Sequence, residues 1–218
     1  MTPPAARTVE TTTHGRFLVS SPDSRPAGLL VGFHGYAENA EIHLEALRSI
    51  PGAERWLLVA VQALHPFYAR DQRIVANWMT SQDRELALTD NIAYVHRVLD
   101  LVRGDHPVTT PLVFVGFSQG GAMAYRAAAS VPADGLIILA ADVPPDVAGQ
   151  PALRLPTVLI GRGRADQWYT AEKHHADLAT LDHLGVQVEN CLFEGGHEWG
   201  DDFRAAVARY LTRVHTSA

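Results

Sequence analysis

Short apolar runs recur along the chain and are separated by polar segments that contain glycine and proline. The runs are Leu29–Phe33, Trp56–Val61, Leu112–Phe117, Gly135–Ala141, Thr157–Ile160 and Val186–Phe193. Uninterrupted runs of this length are typical of strands that are covered on both faces, as in a parallel sheet. The pattern therefore predicts a buried sheet built largely from these segments.

Between the runs, apolar residues recur every three or four positions, which is the spacing of one face of a helix. One such stripe comprises Leu88, Ile92, Val95, Leu99 and Val102. Thr80 and Asp83 form a capping pattern before it. Further helices are predicted over Gly120–Ser130, over Thr170–Leu184, and over a last segment striped by Phe203, Val207, Tyr210 and Val214. Strands that alternate with helices predict an α/β fold, with a doubly wound, mostly parallel sheet flanked by helices.

The pattern shows no repeat and no linker that would divide the chain, so we expect a single domain over residues 1–218. The proline-containing segment Met1–Arg7 is expected to be flexible. Thr8–Thr13 and Arg16–Ser20 are predicted to pair as a hairpin around His14 and Gly15. Only the short segment Asp142–Pro156 separates two predicted strands at the place where a lid could be inserted, so no lid domain is expected.

The composition of the chain disfavours several classes of partner and cofactor. Hydrophobic types make up 47% of the 218 residues, and the formal net charge is −6, which argues against nucleic acid or an anionic membrane as partner. Neither a secretory leader nor a membrane span is expected, and a cytoplasmic protein is the default. The single cysteine, Cys191, excludes an intramolecular disulfide and is interpreted as a structural thiol. No HExxH motif or cysteine cluster is present, so neither a metal nor a cofactor is expected.

A candidate nucleophile follows the apolar run Leu112–Phe117. The sequence there is a G-x-S-x-G pattern with Gly116, Ser118 and Gly120, and an alanine-rich helical segment follows. A sharp strand-to-helix turn strains the serine backbone and leaves room only for small flanking residues, while it exposes the serine hydroxyl. The N–H of Gln119 would then be free at the helix start and suited to stabilise an oxyanion.

A serine hydroxyl needs a base within hydrogen-bond reach, and the base needs an orienting partner. The histidines downstream of Ser118 are His174, His175, His183, His197 and His215. The first three belong to a predicted helix, where we expect them to be solvated, and His215 lies in the tail. His197 follows a strand and two glycines, where a side chain can reach over the sheet edge. His197 is therefore the predicted base.

Two carboxylates compete for the orienting role. Asp166 follows the predicted strand Thr157–Ile160, and Asp142 follows the strand before it. Both positions lie between serine and histidine in the chain, which is the order expected after an elbow of this type.

The segment from Gly116 to Gly121 resembles the elbow of the small bacterial carboxylesterase/phospholipase family, relatives of acyl-protein thioesterases. Further landmarks of that family occur in the same order along the chain: His34-Gly35, Asn77-Trp78, Asp166, and the segment Gly195-Gly196-His197-Glu198-Trp199. The resemblance implies the α/β-hydrolase fold and favours Asp166 over Asp142 as the acid.

The resemblance also implies a role for the loop that follows Leu29–Phe33. It makes the N–H of Tyr36 the second oxyanion donor and His34 a structural hydrogen-bonding residue. The loop departs from the family pattern, because Ala37 and Glu38 stand where the family often has glycine and aspartate.

These features predict a serine carboxylesterase that acts through an acyl-enzyme on short- to medium-chain soluble esters, as a monomer or homodimer. A thioesterase, lysophospholipase or amide hydrolase would use the same residues. A catalytically inactive binding protein is the alternative from another class, and a dienelactone hydrolase-like enzyme would require cysteine at Ser118. The candidate substrate-pocket residues are Phe67, Tyr68, Trp78, Met79, Trp168 and Trp199.

Overall fold

A computed structural model describes residues 3–106, 111–150 and 153–217. Its main feature is a seven-stranded sheet. The strands of this sheet are β1 Phe17–Ser20, β2 Leu29–Phe33, β3 Leu57–Val61, β6 Leu112–Phe117, β7 Gly135–Leu139, β8 Val158–Gly163 and β9 Val188–Phe193. Their order across the sheet is β1-β3-β2-β6-β7-β8-β9. The other two strands, β4 His65–Tyr68 and β5 Ile74–Asn77, form a separate antiparallel hairpin.

Every pairing in the large sheet is parallel except that of β1 with β3. Strands β2, β3, β6, β7 and β8 are buried at every position. Their uninterrupted apolar runs are therefore explained by cover on both faces. The predicted doubly wound, mostly parallel α/β architecture is confirmed.

Six α-helices connect and cover the strands in the described residues. Their bounds are α1 Ala40–Arg48, α2 Arg84–Asp105, α3 Gln119–Ser130, α4 Pro145–Ala148, α5 Ala171–His183 and α6 Asp201–Ser217, and a short 3₁₀ helix spans Ala53–Arg55. Helix α5 begins after Thr170, whose side chain accepts a hydrogen bond from the Lys173 N–H. Among the described residues, none of the helices combines the length and the apolarity needed to cross a bilayer.

The predicted N-terminal hairpin is wrong. Phe17–Ser20 forms a strand, but it pairs with β3, and Thr8–Thr13 has no regular structure. The only apolar side chain of that segment, Val9, is 88% exposed, so the segment has no apolar face to bury against a partner strand. Residues 3–16 are exposed and form neither helix nor strand. Met1 and Thr2, the first residues of the segment expected to be flexible, lie outside the described residues.

The predicted capping box before α2 is also absent. Asp83 precedes the helix with a φ of 49°, and its side chain makes no capping hydrogen bond. The Thr80 hydroxyl accepts instead from the Gln82 N–H, two residues along, in a local turn.

Cys191 is half-buried, and burial raises the pKa of its thiol.

Candidate active site

The turn between β6 and α3 holds Ser118 in a strained backbone conformation, with φ 53° and ψ −124°. The Ser118 N–H donates to the Leu139 carbonyl of β7 at 2.9 Å, which ties the turn to the neighbouring strand. A Cβ on Gly116 would lie 2.3 Å from the Gly120 carbonyl oxygen. The turn therefore closes only because both flanking positions lack side chains.

Gly120 also brings the start of α3 against the loop that follows β2. A Cβ on Gly120 would lie 2.1 Å from the Phe33 carbonyl oxygen and 2.4 Å from that of His34. The turn that carries Ser118 and the loop predicted to supply an oxyanion donor are therefore in backbone contact.

Ser118, His197 and Asp166 form a continuous chain of hydrogen bonds. His197 Nε2 lies 2.8 Å from Ser118 Oγ, and His197 Nδ1 lies 2.8 Å from Asp166 Oδ2. Because an ionised carboxylate only accepts, Nδ1 carries the proton and Nε2 is left to accept the serine proton. The Phe117 ring packs against the imidazole at 5.0 Å between centroids.

The Asp166 carboxylate is buried and held from two sides. Its Oδ1 accepts from the backbone N–H groups of Trp168 at 2.8 Å and Tyr169 at 2.9 Å. The loop that carries it is joined to the His197 loop through the Ala165 N–H, which donates to the Gly195 carbonyl at 2.9 Å. Asp166 and His197 are thus positioned by one pair of packed loops at the ends of β8 and β9.

The competing carboxylate, Asp142, is exposed and lies 3.3 Å from Lys173 Nζ rather than beside the base. The other histidines differ partly from expectation. His174 is buried rather than solvated. Its Nε2 lies 2.9 Å from Asn190 Oδ1, and its ring packs edge-on against the Tyr169 ring. His175 and His183 are exposed on α5.

The loop after β2 is held in a tight turn. The Gly35 N–H donates to the Glu38 carboxylate at 2.7 Å, and the Ala37 N–H donates to the Ala76 carbonyl of β5 at 3.1 Å. Ala37 has a φ of 58°, a backbone conformation that favours glycine. Burial raises the pKa of Glu38.

The two backbone N–H groups predicted to hold an oxyanion belong to Gln119 and Tyr36. Gln119 is the first residue of α3, so its N–H has no partner within the helix. The N–H of Tyr36 donates no hydrogen bond to any described residue. The Tyr36 side chain is 61% exposed and packs against Phe67, with ring centroids 5.7 Å apart.

His34 is buried beneath this loop and makes two hydrogen bonds. Its Nδ1 lies 2.6 Å from the Gly35 carbonyl, and its Nε2 accepts from the Ala63 N–H at 3.0 Å. Burial lowers the pKa of His34 to about 4, so the ring is neutral at pH 7. It holds β2 and β3 together at the sheet edge.

Trp78 is fully buried, so the prediction that it lines a substrate pocket is wrong. Its indole N–H donates to the His34 carbonyl at 2.9 Å, and its backbone N–H donates to Gln119 Oε1 at 2.9 Å. Gln119 Nε2 in turn donates to the Met79 carbonyl at 3.0 Å. We call this pair of side chains, Trp78 and Gln119, the brace, because it joins the start of α3 to the loop after β2. Below, that loop is called the oxyanion loop after the role that the sequence predicts for it.

A cleft of about 380 Å³ opens beside Ser118 and His197. Of the six predicted pocket residues, Trp168 lines it and is 77% exposed. The other five do not line it: Met79 is buried with Trp78, Phe67 and Tyr68 belong to the β4–β5 hairpin, and Trp199 packs against Phe117 and Phe203.

Sequence reasoning missed most of the cleft wall. It is built from Arg84, Ala122, Arg126, Ala140, Ala141, Asp142, Val143, Pro144, Pro145, Tyr169 and Lys173, besides Ser118, Gln119, Trp168 and His197. These residues come from the starts of α2 and α5, from the first turns of α3 and from the segment after β7. Their positions after strands and before helices are the signal that could have found them. In the described residues, no cluster of three His, Cys, Asp or Glu side chains is arranged to hold a metal ion.

Neither a scan against protein-family models nor a search of curated proteins found a match. Solved structures match over most of the chain. Esterase PE8 is 22% identical with a TM-score of 0.70, over 92% of this chain and 98% of that one. The Bacillus cereus carboxylesterase is 14% identical with a TM-score of 0.73, over 92% and 94% of the two chains. Zea mays acyl-protein thioesterase 2 is 18% identical with a TM-score of 0.71, over 93% and 100%.

These likenesses show that the chain has the α/β-hydrolase fold, as the resemblance of its sequence implied.

Proposed function

We propose that the protein is a serine carboxylic-ester hydrolase that works through an acyl-enzyme. The observation that carries the proposal is the hydrogen-bonded chain from Ser118 Oγ through His197 to Asp166, with both links 2.8 Å long. A nucleophile, a base and a group that orients the base are the parts that acyl transfer requires.

The proposed reaction has two halves. Ser118 Oγ attacks the ester carbonyl while His197 Nε2 takes the serine proton, and Asp166 stabilises the imidazolium that forms. The tetrahedral intermediate collapses as His197 gives the proton to the departing alcohol, which leaves an acyl group on Ser118. Water then attacks that acyl group with His197 again as base, and the acid is released.

The N–H groups of Gln119 and Tyr36 are proposed to hold the negative oxygen in both halves. The backbone contact between Gly120 and the loop after β2 supports this assignment, because it brings the two segments together beside Ser118. Loss of one such donor typically raises a barrier by about 3–4 kcal/mol.

The size of the cleft supports small substrates. Its volume of about 380 Å³ lies at the lower end of the range for small-molecule pockets. We therefore propose esters with short- to medium-chain acyl groups.

A p-nitrophenyl ester series from acetate to palmitate tests the proposal with wild type, Ser118→Ala and His197→Ala. We expect the wild type to hydrolyse the short members best, and each folded variant to lose at least about a thousandfold in kcat. Turnover near the wild-type rate in folded Ser118→Ala would contradict the mechanism. A wild type that cleaves acyl thioesters but no oxygen ester would contradict the substrate class.

A further inference from the structure

The wall of the active-site cleft carries an excess of positive charge. Its cationic side chains are Arg84, Arg126 and Lys173, and its one carboxylate is Asp142. The rest of the wall is largely apolar, with proline, alanine, valine and tryptophan side chains. A charge beside apolar walls is screened less by water than one on an open surface.

Two of the three cations already have carboxylate partners. The Arg126 guanidinium is buried and donates two hydrogen bonds to Asp146, at 2.8 and 2.6 Å. Lys173 Nζ lies 3.3 Å from Asp142 Oδ2. These pairs fix the orientation of both side chains and cancel their charges.

Arg84 is different, because no carboxylate of the described residues lies within ion-pair distance of it. It is the first residue of α2 and is exposed at the cleft. The pKa of Asp146 is lowered mainly by its hydrogen bonds with Arg126, with a smaller contribution from the charge of Arg84. Arg84 therefore lines the cleft with no ion-pair partner for its guanidinium among the described residues.

Two carboxylates near His197, those of Asp166 and Glu38, do not line this wall. Asp166 is buried behind His197, and both Asp166 and Glu38 accept hydrogen bonds from backbone N–H groups. A substrate in the cleft thus meets the guanidinium of Arg84 and the Asp142 carboxylate that pairs with Lys173, whereas Asp166 and Glu38 lie outside the cleft wall.

We propose that Arg84 is a specificity-determining residue that selects esters bearing a carboxylate group. The planar guanidinium can donate two parallel hydrogen bonds to a carboxylate, a geometry that neither an alcohol nor an alkyl chain can use. This inference rests on the proposed esterase function and adds the chemical class of its substrate.

The test compares matched esters. Mono-4-nitrophenyl esters of glutaric and adipic acid carry a terminal carboxylate, and the corresponding terminal carboxamides are neutral controls of nearly the same size. The measured quantity is the ratio of kcat/KM for the anionic ester to that for the neutral ester, which divides out any loss common to both. Spontaneous hydrolysis is measured without enzyme and subtracted.

We expect the ratio to fall about fivefold in Arg84→Gln, as for loss of one exposed charge pair. Arg84→Lys keeps the charge and should retain part of the preference. Arg97→Gln makes the same change in net charge on an exposed residue of the same helix, about 20 Å further along its axis. It should leave the ratio unchanged, because that distance exceeds the screening length at physiological salt.

Asp142→Asn provides a test of opposite sign. It frees Lys173 from its partner and adds one positive charge to the cleft wall, so the ratio should rise. Equal ratios in Arg84→Gln and Arg97→Gln, with both esters cleaved, would overturn this inference and leave the esterase proposal intact. A folded wild type that cleaves none of the four esters would overturn the esterase proposal itself.

Discussion

Two parts of the candidate site are held in position in opposite ways, one by the absence of side chains and the other by large side chains. The nucleophile turn, from Gly116 to Gly121, depends on missing side chains, because a Cβ on Gly116 or on Gly120 would collide with backbone atoms. The brace formed by Trp78 and Gln119 depends on large side chains that reach across 41 and 44 positions in the chain. The first is a local feature with a recognisable sequence, and the second is a long-range feature without one.

The sharpest way to break the nucleophile turn is Gly120→Ala. Its Cβ would lie 2.1 Å from the Phe33 carbonyl oxygen, so β2 and α3 would have to separate. We expect a loss of about 3 kcal/mol or more in unfolding free energy, measured by urea denaturation. Gly104→Ala in α2 is the control, because its Cβ would meet nothing within 4 Å. A Gly120→Ala protein as stable as Gly104→Ala would contradict the packing described here.

This contrast explains how much was predictable from the sequence. The strands and the elbow could be predicted because each follows from neighbouring residues, such as the apolar run Leu112–Phe117 and the glycines after it. From the sequence alone, Trp78 cannot be distinguished from a tryptophan that lines the cleft, such as Trp168. Only the three-dimensional structure shows that the Trp78 indole N–H donates to the His34 carbonyl. Arg84 could not be placed either, because its position depends on how α2 packs beside α3.

The brace can be broken by Trp78→Phe, which removes the donor to the buried His34 carbonyl and also leaves a void. We expect a loss of about 1–3 kcal/mol in unfolding free energy from the unpaired carbonyl, with more from the void. We also expect a fall of about tenfold in kcat, as the oxyanion loop loosens.

Trp199→Phe is the matched control for the brace. The Trp199 indole N–H is buried but has no hydrogen-bond partner among the described residues, so the same substitution removes no hydrogen bond. Equal losses of kcat in the two variants would show that the Trp78 hydrogen bond does not position the loop.

The buried side chain of His43 predicts that the stability of the fold depends on pH. His43 is fully buried beside Gly32, and burial, with a smaller contribution from the charge of His34, lowers its pKa to about 3. The unfolded chain, with an ordinary histidine pKa of about 6.5, therefore binds more protons than the folded protein between these values. Stability contributed by His43 is complete above about pH 6.5 and is lost as the pH falls.

Urea denaturation between pH 6 and pH 4 measures this effect. We expect the unfolding free energy of His43→Leu to fall less steeply than that of wild type, by about 1.4 kcal/mol per pH unit. His183→Leu replaces an exposed histidine and should keep the wild-type slope. Identical slopes in wild type and His43→Leu would refute the assigned shift.

The smallest effect concerns the oxyanion loop at Ala37, whose φ of 58° suits glycine better. Ala37→Gly should raise the unfolding free energy by about 1 kcal/mol or less, because relief of the strained backbone exceeds the added entropy of the unfolded chain. Ala93→Gly, at an exposed position within α2, should lower it by about 1 kcal/mol. Thermal denaturation of both variants checks the sign of each change in unfolding free energy. Destabilisation of equal size at both positions would contradict the proposed backbone strain at Ala37.

The proposed function depends on Ser118 being a nucleophile that His197 activates. Covalent labelling with a fluorophosphonate, followed by peptide mass spectrometry, tests this role without knowledge of the natural substrate. We expect one adduct per chain, on Ser118, no adduct in Ser118→Ala, and labelling at least about a hundredfold slower in folded His197→Ala. Unchanged labelling of Ser118→Ala, or a wild type that reacts no faster than His197→Ala, would contradict it.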